Sequence, residues 1–357
     1  LSTTLATLAR GRDNNLNLLR IVAASLVLVS HSFVLVSGNP QAEPWNAVLG
    51  RSPGGLAVDI FFLVSGFLVT GSAMKQAAVW PYVRARAMRI YPGLWMALLF
   101  TLALVGAGFT SLPAAAFFSE PQTWKYLAKN ALMITGAEAA LPGAFAGNPF
   151  TGVVNGSLWT LRYELRLYAL LALGWWALGR WARAQAPQRL RQGVTALALL
   201  LSLAAVAQLW APAQSDAVRL GGMFFSGAAM WTWRERLQLR GRWVALGVAA
   251  MAVAALVSPR VFEPVYRAAL PGLVFWLAYR PAGWPRAYNR VGDYSYGVYI
   301  YAFPVQQALV AAWPGLGVAG LTASAGALTL ALAVLSWHAV EQPALRWGRR
   351  FQPRAAG

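Results

Sequence analysis

The sequence predicts an all-α, polytopic membrane bundle of about ten helices with both termini cytoplasmic, on three observations. Of the 357 residues, 58% are hydrophobic and only 11% charged, against about 25% charged in an ordinary soluble domain. Apolar runs approaching bilayer length can be drawn at 17–37, 54–73, 90–108, 157–179, 193–210, 217–233, 243–258, 262–279, 294–312 and 318–340. Most of the 30 Lys and Arg residues fall in the two tails and in alternate gaps between these runs. A positive-inside bias of this kind puts both chain ends on the cytoplasmic side.

The first run lies in LLRIVAASLVLVSHSF, behind a polar and basic lead-in, 1–14. No small-residue cleavage site precedes it, so it is expected to stay as an anchor. The second run, GGLAVDIFFLVSGFLVT, is separated from the third by YVRARAMRIYP, whose Arg84, Arg86 and Arg89 are expected in a cytoplasmic loop and at the start of the third helix. The only long connection, 109–156, is expected outside. It is rich in Pro, Gly, Ala and aromatics, either a plain connector or a lid, and its WKYLAKNALMI stretch suits an interfacial helix. GGMFFSG in the sixth run echoes FFLVSG in the second, as expected of small-residue helix packing. At the end of the tenth run His338, Glu341 and Arg346 are expected to pair and to stabilise a helix end before a cytoplasmic tail, 344–357. No period or low-complexity tract divides 1–357, so a single membrane domain is expected.

The net charge of +19 is spread between apolar runs and is read as a topology signal, not as a nucleic-acid surface. With no cysteine, disulfides, thiolate nucleophiles and Cys metal sites are excluded. The chemistry must come from other groups. His31, Asp59 and Glu164 are ionisable residues in the first, second and fourth runs, each roughly 8–11 Å below the outer ends at about 1.5 Å per residue. Charged groups facing lipid are costly, so three at one depth suggest a shared polar cavity. Either acid could instead simply pair with Arg162 or Arg166, and His31 could be a packing histidine. On the cytoplasmic side Arg20, Arg84, Arg86 and Arg89 could grip phosphates, or serve only as inside charges.

Several blocks, in order, resemble the integral membrane acyltransferases of the acyltransferase-3 family. NNLNLLRIVAASLVLVSHSF carries a basic residue, ten intervening positions and a histidine, as Arg20 and His31. GGLAVDIFFLVSGFLVT is similar to the family's signature around Phe61, Phe62, Ser65, Gly66 and Phe67. RARAMRIYP holds an Arg-x-x-Arg pair, Arg86 and Arg89; NGSLWTLRYELRLY supplies Trp159 and Glu164. GDYSYGVYIYAFPVQQ and SWHAVEQP place Ser295, Tyr296, Tyr299, Glu341 and Pro343. The departures are Asn17, where many members have Asp, Arg162, where Pro is frequent, and Ala302, where many relatives have histidine.

The resemblance implies transfer of an acyl group, most often acetyl, from cytoplasmic acyl-CoA to a hydroxyl of an extracytoplasmic or lipid-linked glycan. It implies an essential His31 and an acyl-CoA side that includes Arg86 and Arg89. Acetyl-CoA would be a donor substrate; no permanently bound cofactor or metal is expected. His31 would act as general base, with Glu164 or Asp59 holding its tautomer, or would itself carry the acyl group. The phosphates of CoA should stay at the inner face near Arg20, Arg84, Arg86 and Arg89, given the desolvation cost of burying them. Ser65, Trp159, Tyr296 and Tyr299 are expected along the substrate channel. The expected surroundings are a bacterial cytoplasmic membrane, a glycan acceptor, and either a homodimer or a separate glycan-assembly partner. The rival reading is a transporter or flippase of a lipid-linked glycan without acyl transfer.

Overall fold

The computed structural model describes residues 4–350 apart from 12 and 77, so the outermost parts of both expected tails lie outside the described residues. Each of the ten apolar runs is a helix. In chain order these are α1 Leu16–Ser37, α2 Pro53–Lys75, α3 Val79–Gly108, α4 Leu161–Trp181 and α5 Ala186–Ala207. There follow α6 Asp216–Thr232, α7 Gly241–Val257, α8 Pro259–Tyr279, α9 Ser295–Ala312 and α10 Val318–Ser336. No strand occurs among the described residues, which show only two isolated bridges. Among the described residues five helical stretches, Leu16–Ser37, Pro53–Lys75, Val79–Gly108, Ala186–Trp210 and Val318–Gly348, are long and apolar enough to cross a membrane.

Two of the boundaries that differ from the hydropathy reading bear on the charged groups. Helix α3 starts at Val79, so Arg84, Arg86 and Arg89 lie within a helix and not in a loop. The stretch from Val83 to Tyr91 contains good helix formers and no breaker, and Pro81 falls in the first turn, where its missing N–H costs nothing. Helix α10 gives way at Trp337–Glu341 to a π-helical turn and then continues as a helix over Gln342–Arg350.

The chain forms two compact units: Leu1–Ala23, Trp45–Ala77 and Arg166–Gly292 make the first, and Ala24–Pro44, Ala78–Leu165 and Asp293–Gly357 the second. In the first unit α2 and α8 start alike, each with a Ser-Pro pair. Ser52 accepts from the Gly55 N–H at 3.0 Å and Ser258 from the Val261 N–H at 3.3 Å, with Pro at the first helical position. The far end of α8 is closed by Asn15. Its side-chain amide donates to the Leu277 and Pro281 carbonyls at 2.9 Å, and its N–H to Ala278 at 2.7 Å, answering carbonyls that a helix end leaves over.

Helices α2 and α6 pack at backbone contact. A Cβ on Gly66 would stand 1.9 Å from the Phe224 carbonyl oxygen, and one on Gly227 1.9 Å from that of Leu63. The Ser-Gly pairs expected to serve small-residue packing therefore do so, in a setting where close van der Waals contact drives helix association. In the second unit Gly297 of α9 allows the same approach to α10, its missing Cβ lying 2.8 Å from the Ala333 Cα. The WKYLAKNALMI stretch is helical up to Leu132, within the helix Pro121–Leu132. Trp95 and Tyr91 of α3 donate to its last carbonyls, Ala131 at 3.1 Å and Leu132 at 3.2 Å.

Gly66→Ala should push α2 off α6 and cost about 3 kcal/mol, the upper part of the range for overpacking, because the clash is with backbone. Gly174→Ala, where no atom stands within 4 Å of the added Cβ, is the control. Thermal unfolding of the detergent-solubilised protein checks the pair, with only the first variant expected to melt early.

Candidate functional site

Helix α9 organises the second unit's polar groups. Pro304 has no N–H, so the Ile300 carbonyl four residues back loses its helical donor. The Asn155 side-chain amide replaces it at 2.9 Å, which ties the NGSLW block to α9. The next residue must then be glycine: a Cβ on Gly156 would lie 2.6 Å from the Phe303 ring. Phe303 in turn meets the His31 imidazole edge-on, with ring centroids 4.9 Å apart. His31 is half-buried, and its Nδ1 is buried with no hydrogen-bond partner.

One turn along α9, fully buried Gln306 holds α1 on either side of His31. Its Nε2 donates to the Leu28 carbonyl at 2.9 Å and to Ser32 Oγ at 2.8 Å. Gln307 fastens the long connection, donating to the Phe150 and Val153 carbonyls at 2.9 and 2.8 Å. In the other direction Tyr299 shares a 2.7 Å hydrogen bond with Thr160, and Tyr296 donates to the Ile90 carbonyl at 2.9 Å. From Tyr296 to Phe303 is seven residues, about 10 Å of helix.

Beside Tyr296 stands a charged cluster. Arg89 donates to Asp293 at 2.6 Å, faces Glu341 at 3.5 Å and lies 5.6 Å from the Tyr296 ring centroid. Glu164 is close enough to act electrostatically on both Arg89 and Tyr296. Asp293 also accepts from Ser295 at 2.5 Å, and Glu341 from Ser336 at 3.0 Å. The π-helical turn presents Glu341, 1% exposed, and Gly93 makes room for it, since a Cβ there would lie 3.3 Å from the Glu341 Cγ. Such turns recur at functional sites.

The structure thus brings His31, Glu164, Tyr296, Tyr299 and Arg89 into one unit, with Glu164 coupled to Arg89. Trp159, also in that unit, packs edge-on to Tyr163 at 5.8 Å. Arg84 and Arg86 are half-buried on α3, five and three residues before Arg89. Arg20 is half-buried on the second turn of α1 and belongs to the first unit, as do Ser65 and Asp59. Ser65 accepts from the Tyr168 hydroxyl at 3.2 Å.

Asp59 is fully buried, and its partners are not Arg162 or Arg166. Arg51 reaches it at 2.6 Å, Arg219 at 2.8 Å and the Tyr266 hydroxyl at 3.0 Å. Arg51 also grips Glu263 through two nitrogens, and Arg267 joins Glu263 at 2.6 Å. Burial works against the charge of Arg51, but Asp59 and Glu263 beside it hold its proton more tightly than in a free guanidinium.

Sequence reasoning missed Asp293, Gln306 and Asn155 as site residues; it placed Glu341 in a family motif but read its role as pairing at a helix end. Pro304 was the available signal: a proline inside an apolar helix leaves a carbonyl that some buried amide must answer.

An acyltransferase family model, described as an acyltransferase domain, matches residues 13–338. The chain is similar to nodulation protein 10 of Rhizobium leguminosarum bv. viciae, 31% identical over 94% of each chain. It is also similar to an O-acetyl transferase of Shigella phage Sf6, 28% identical over 93% of this chain and 96% of the relative. No solved structure matches it.

Arg89→Gln should cost about 3–5 kcal/mol, because it removes the cation from a largely buried ion pair with Asp293 and Glu341. Adding Glu341→Gln to it should recover part of that loss. A double-mutant cycle on thermal unfolding reads the coupling, and additive losses would show that the pair does not interact.

Proposed function

Since the chain belongs to the acyltransferase-3 family of acyltransferase domains, we propose that it is a multi-pass membrane enzyme that moves an acetyl group from cytoplasmic acetyl-CoA to a glycan hydroxyl, with His31 as general base. The observation that carries this reading is His31 itself: a half-buried imidazole, fixed by Phe303 and by the Gln306 clamp on α1, with a buried nitrogen that no protein group holds. Family membership and likeness to an O-acetyl transferase favour acyl transfer over the transport reading.

A sugar hydroxyl attacks a thioester slowly at neutral pH. His31 takes the hydroxyl proton as the new C–O bond forms; the C–S bond breaks, and the imidazolium returns the proton to the CoA thiolate. General-base assistance of this kind commonly contributes about 10²–10⁴-fold. Tyr296 and Tyr299 line the acyl path along α9. Arg84 and Arg86 face the phosphates of CoA, and Arg89, engaged by Asp293 and Glu341, holds α3 against the end of α9. Glu164 acts through Arg89, and Asp59 belongs to the scaffold of its own unit. With a positive-inside topology, ten spans and both termini cytoplasmic, the donor enters from the inner face and the acceptor from the outer face of a bacterial cytoplasmic membrane.

His31→Ala should lower transfer about 10²–10⁴-fold while acetyl-CoA still stabilises the protein against heat. Mass spectrometry of surface glycans from cells carrying the wild-type or His31→Ala gene reads the product. An acetyl-sized mass increment that persists at full level in the variant sinks the assignment.

A further inference from the structure

The second unit holds a cavity of about 730 Å³ just past the His31 and Phe303 pair. Val36 lies on its wall, five residues beyond His31 on α1, and Val310, seven residues beyond Phe303 on α9. At about 1.5 Å per residue these are roughly 8 and 10 Å further along the two helices. The cavity therefore extends the line that runs from the Arg89 cluster through Tyr299 to His31.

Its walls are built and held. Phe145 donates its N–H to the Phe109 carbonyl at 2.9 Å, and Ser111 donates to that of Gly143 at 3.1 Å. Gly143, with φ +63°, sits where a Cβ would lie 2.4 Å from Ser111 Oγ. Phe145 takes the left-handed conformation at φ 51° although it carries a large side chain. Backbone strain of that kind persists only where the surroundings impose it, and it clusters at functional sites.

The lining selects a class of ligand. Among the described residues no charged side chain lines the cavity, so nothing there answers the phosphates of a nucleotide or of CoA. It offers the hydroxyl-bearing Thr110 and Ser111, bare backbone at Gly147, and Trp313, 61% exposed. An aromatic face beside neutral hydrogen-bonding groups suits a ring with apolar C–H faces and an edge of hydroxyls, and the volume falls in the range of small-molecule sites, about 300–1,000 Å³.

We propose that this cavity binds an uncharged sugar ring of the acceptor, stacked on Trp313, and delivers its hydroxyl toward His31. This rests on the acyl-transfer reading above and adds to it the place and the charge class of the acceptor.

The test uses the full-length protein in lipid nanodiscs, with methyl glycosides of glucose, galactose and rhamnose as probes and saturation-transfer NMR as the readout. No protein atom lies within 4 Å of a Cβ added at Gly147, so Gly147→Trp should fill the cavity without disturbing packing, and Gly147→Ala is its control. At least one glycoside should bind the wild type and the Gly147→Ala protein. Gly147→Trp should weaken it about tenfold or more, and Trp313→Ala about tenfold, each a change of about 1.4 kcal/mol. Acetyl-CoA binding should be the same in all four proteins, which also reports that the fold is intact. Absence of any glycoside signal from the wild type, as when a lipid tail occupies the cavity, overturns the proposal. So does a signal that survives Gly147→Trp unchanged. Acetyl-CoA use is read separately: a wild type that transfers acetyl groups but ignores the glycosides loses only the cavity assignment, whereas one that binds glycosides and never consumes acetyl-CoA loses the acyl-transfer reading.

Discussion

A polar group that cannot reach water has to be answered from within the chain, since each unanswered one costs several kcal/mol in hydrocarbon. Much of the second unit follows from that constraint. Pro304 opens a carbonyl, Asn155 closes it, and the closure brings Gly156 against Phe303 and Phe303 against His31. A proline on one helix thereby fixes where a histidine on another can stand. Gln306 adds a second tie by holding the turn of α1 that contains His31.

The two charged networks meet the same constraint differently. In the first unit Arg51, Arg219 and Arg267 interleave with Asp59 and Glu263, and each carboxylate receives more than one donor. Such saturation favours a fixed geometry. In the second unit Arg89 stands among Asp293, Glu341 and Glu164, residues drawn from three separate stretches of the chain.

Helix positions were legible in the sequence because hydropathy reports burial in lipid directly, and the ten drawn runs each contain a helix. The start of α3 was not legible. Its arginines look like a loop to a hydropathy window even though the stretch is made of good helix formers, and the carboxylate that answers Arg89 lies far away, Asp293 being 204 residues on. Asp59 posed the same problem, with one partner 8 residues distant and another 160. The family motifs located His31, Glu164 and the Arg-x-x-Arg pair, but not which acid meets which base. Contacts of high sequence separation decide that, and neither periodicity nor composition carries them. The cavity of the second unit was equally hidden, being shaped by backbone pairing and by the absence of side chains at glycines.

The π-helical turn at Trp337–Glu341 inserts one residue into what would otherwise be a continuous α-helix. One residue of an α-helix is worth about 100° of rotation. The segment Gln342–Arg350 is thus phased differently from α10, and Glu341, at the end of the π turn, faces Arg89. The end of the chain behaves as a counted register: its length between Ser336 and Gln342 carries structural information independent of which residues fill it. A one-residue deletion there would be felt as a rotation of Gln342–Arg350, even where every side chain was otherwise preserved.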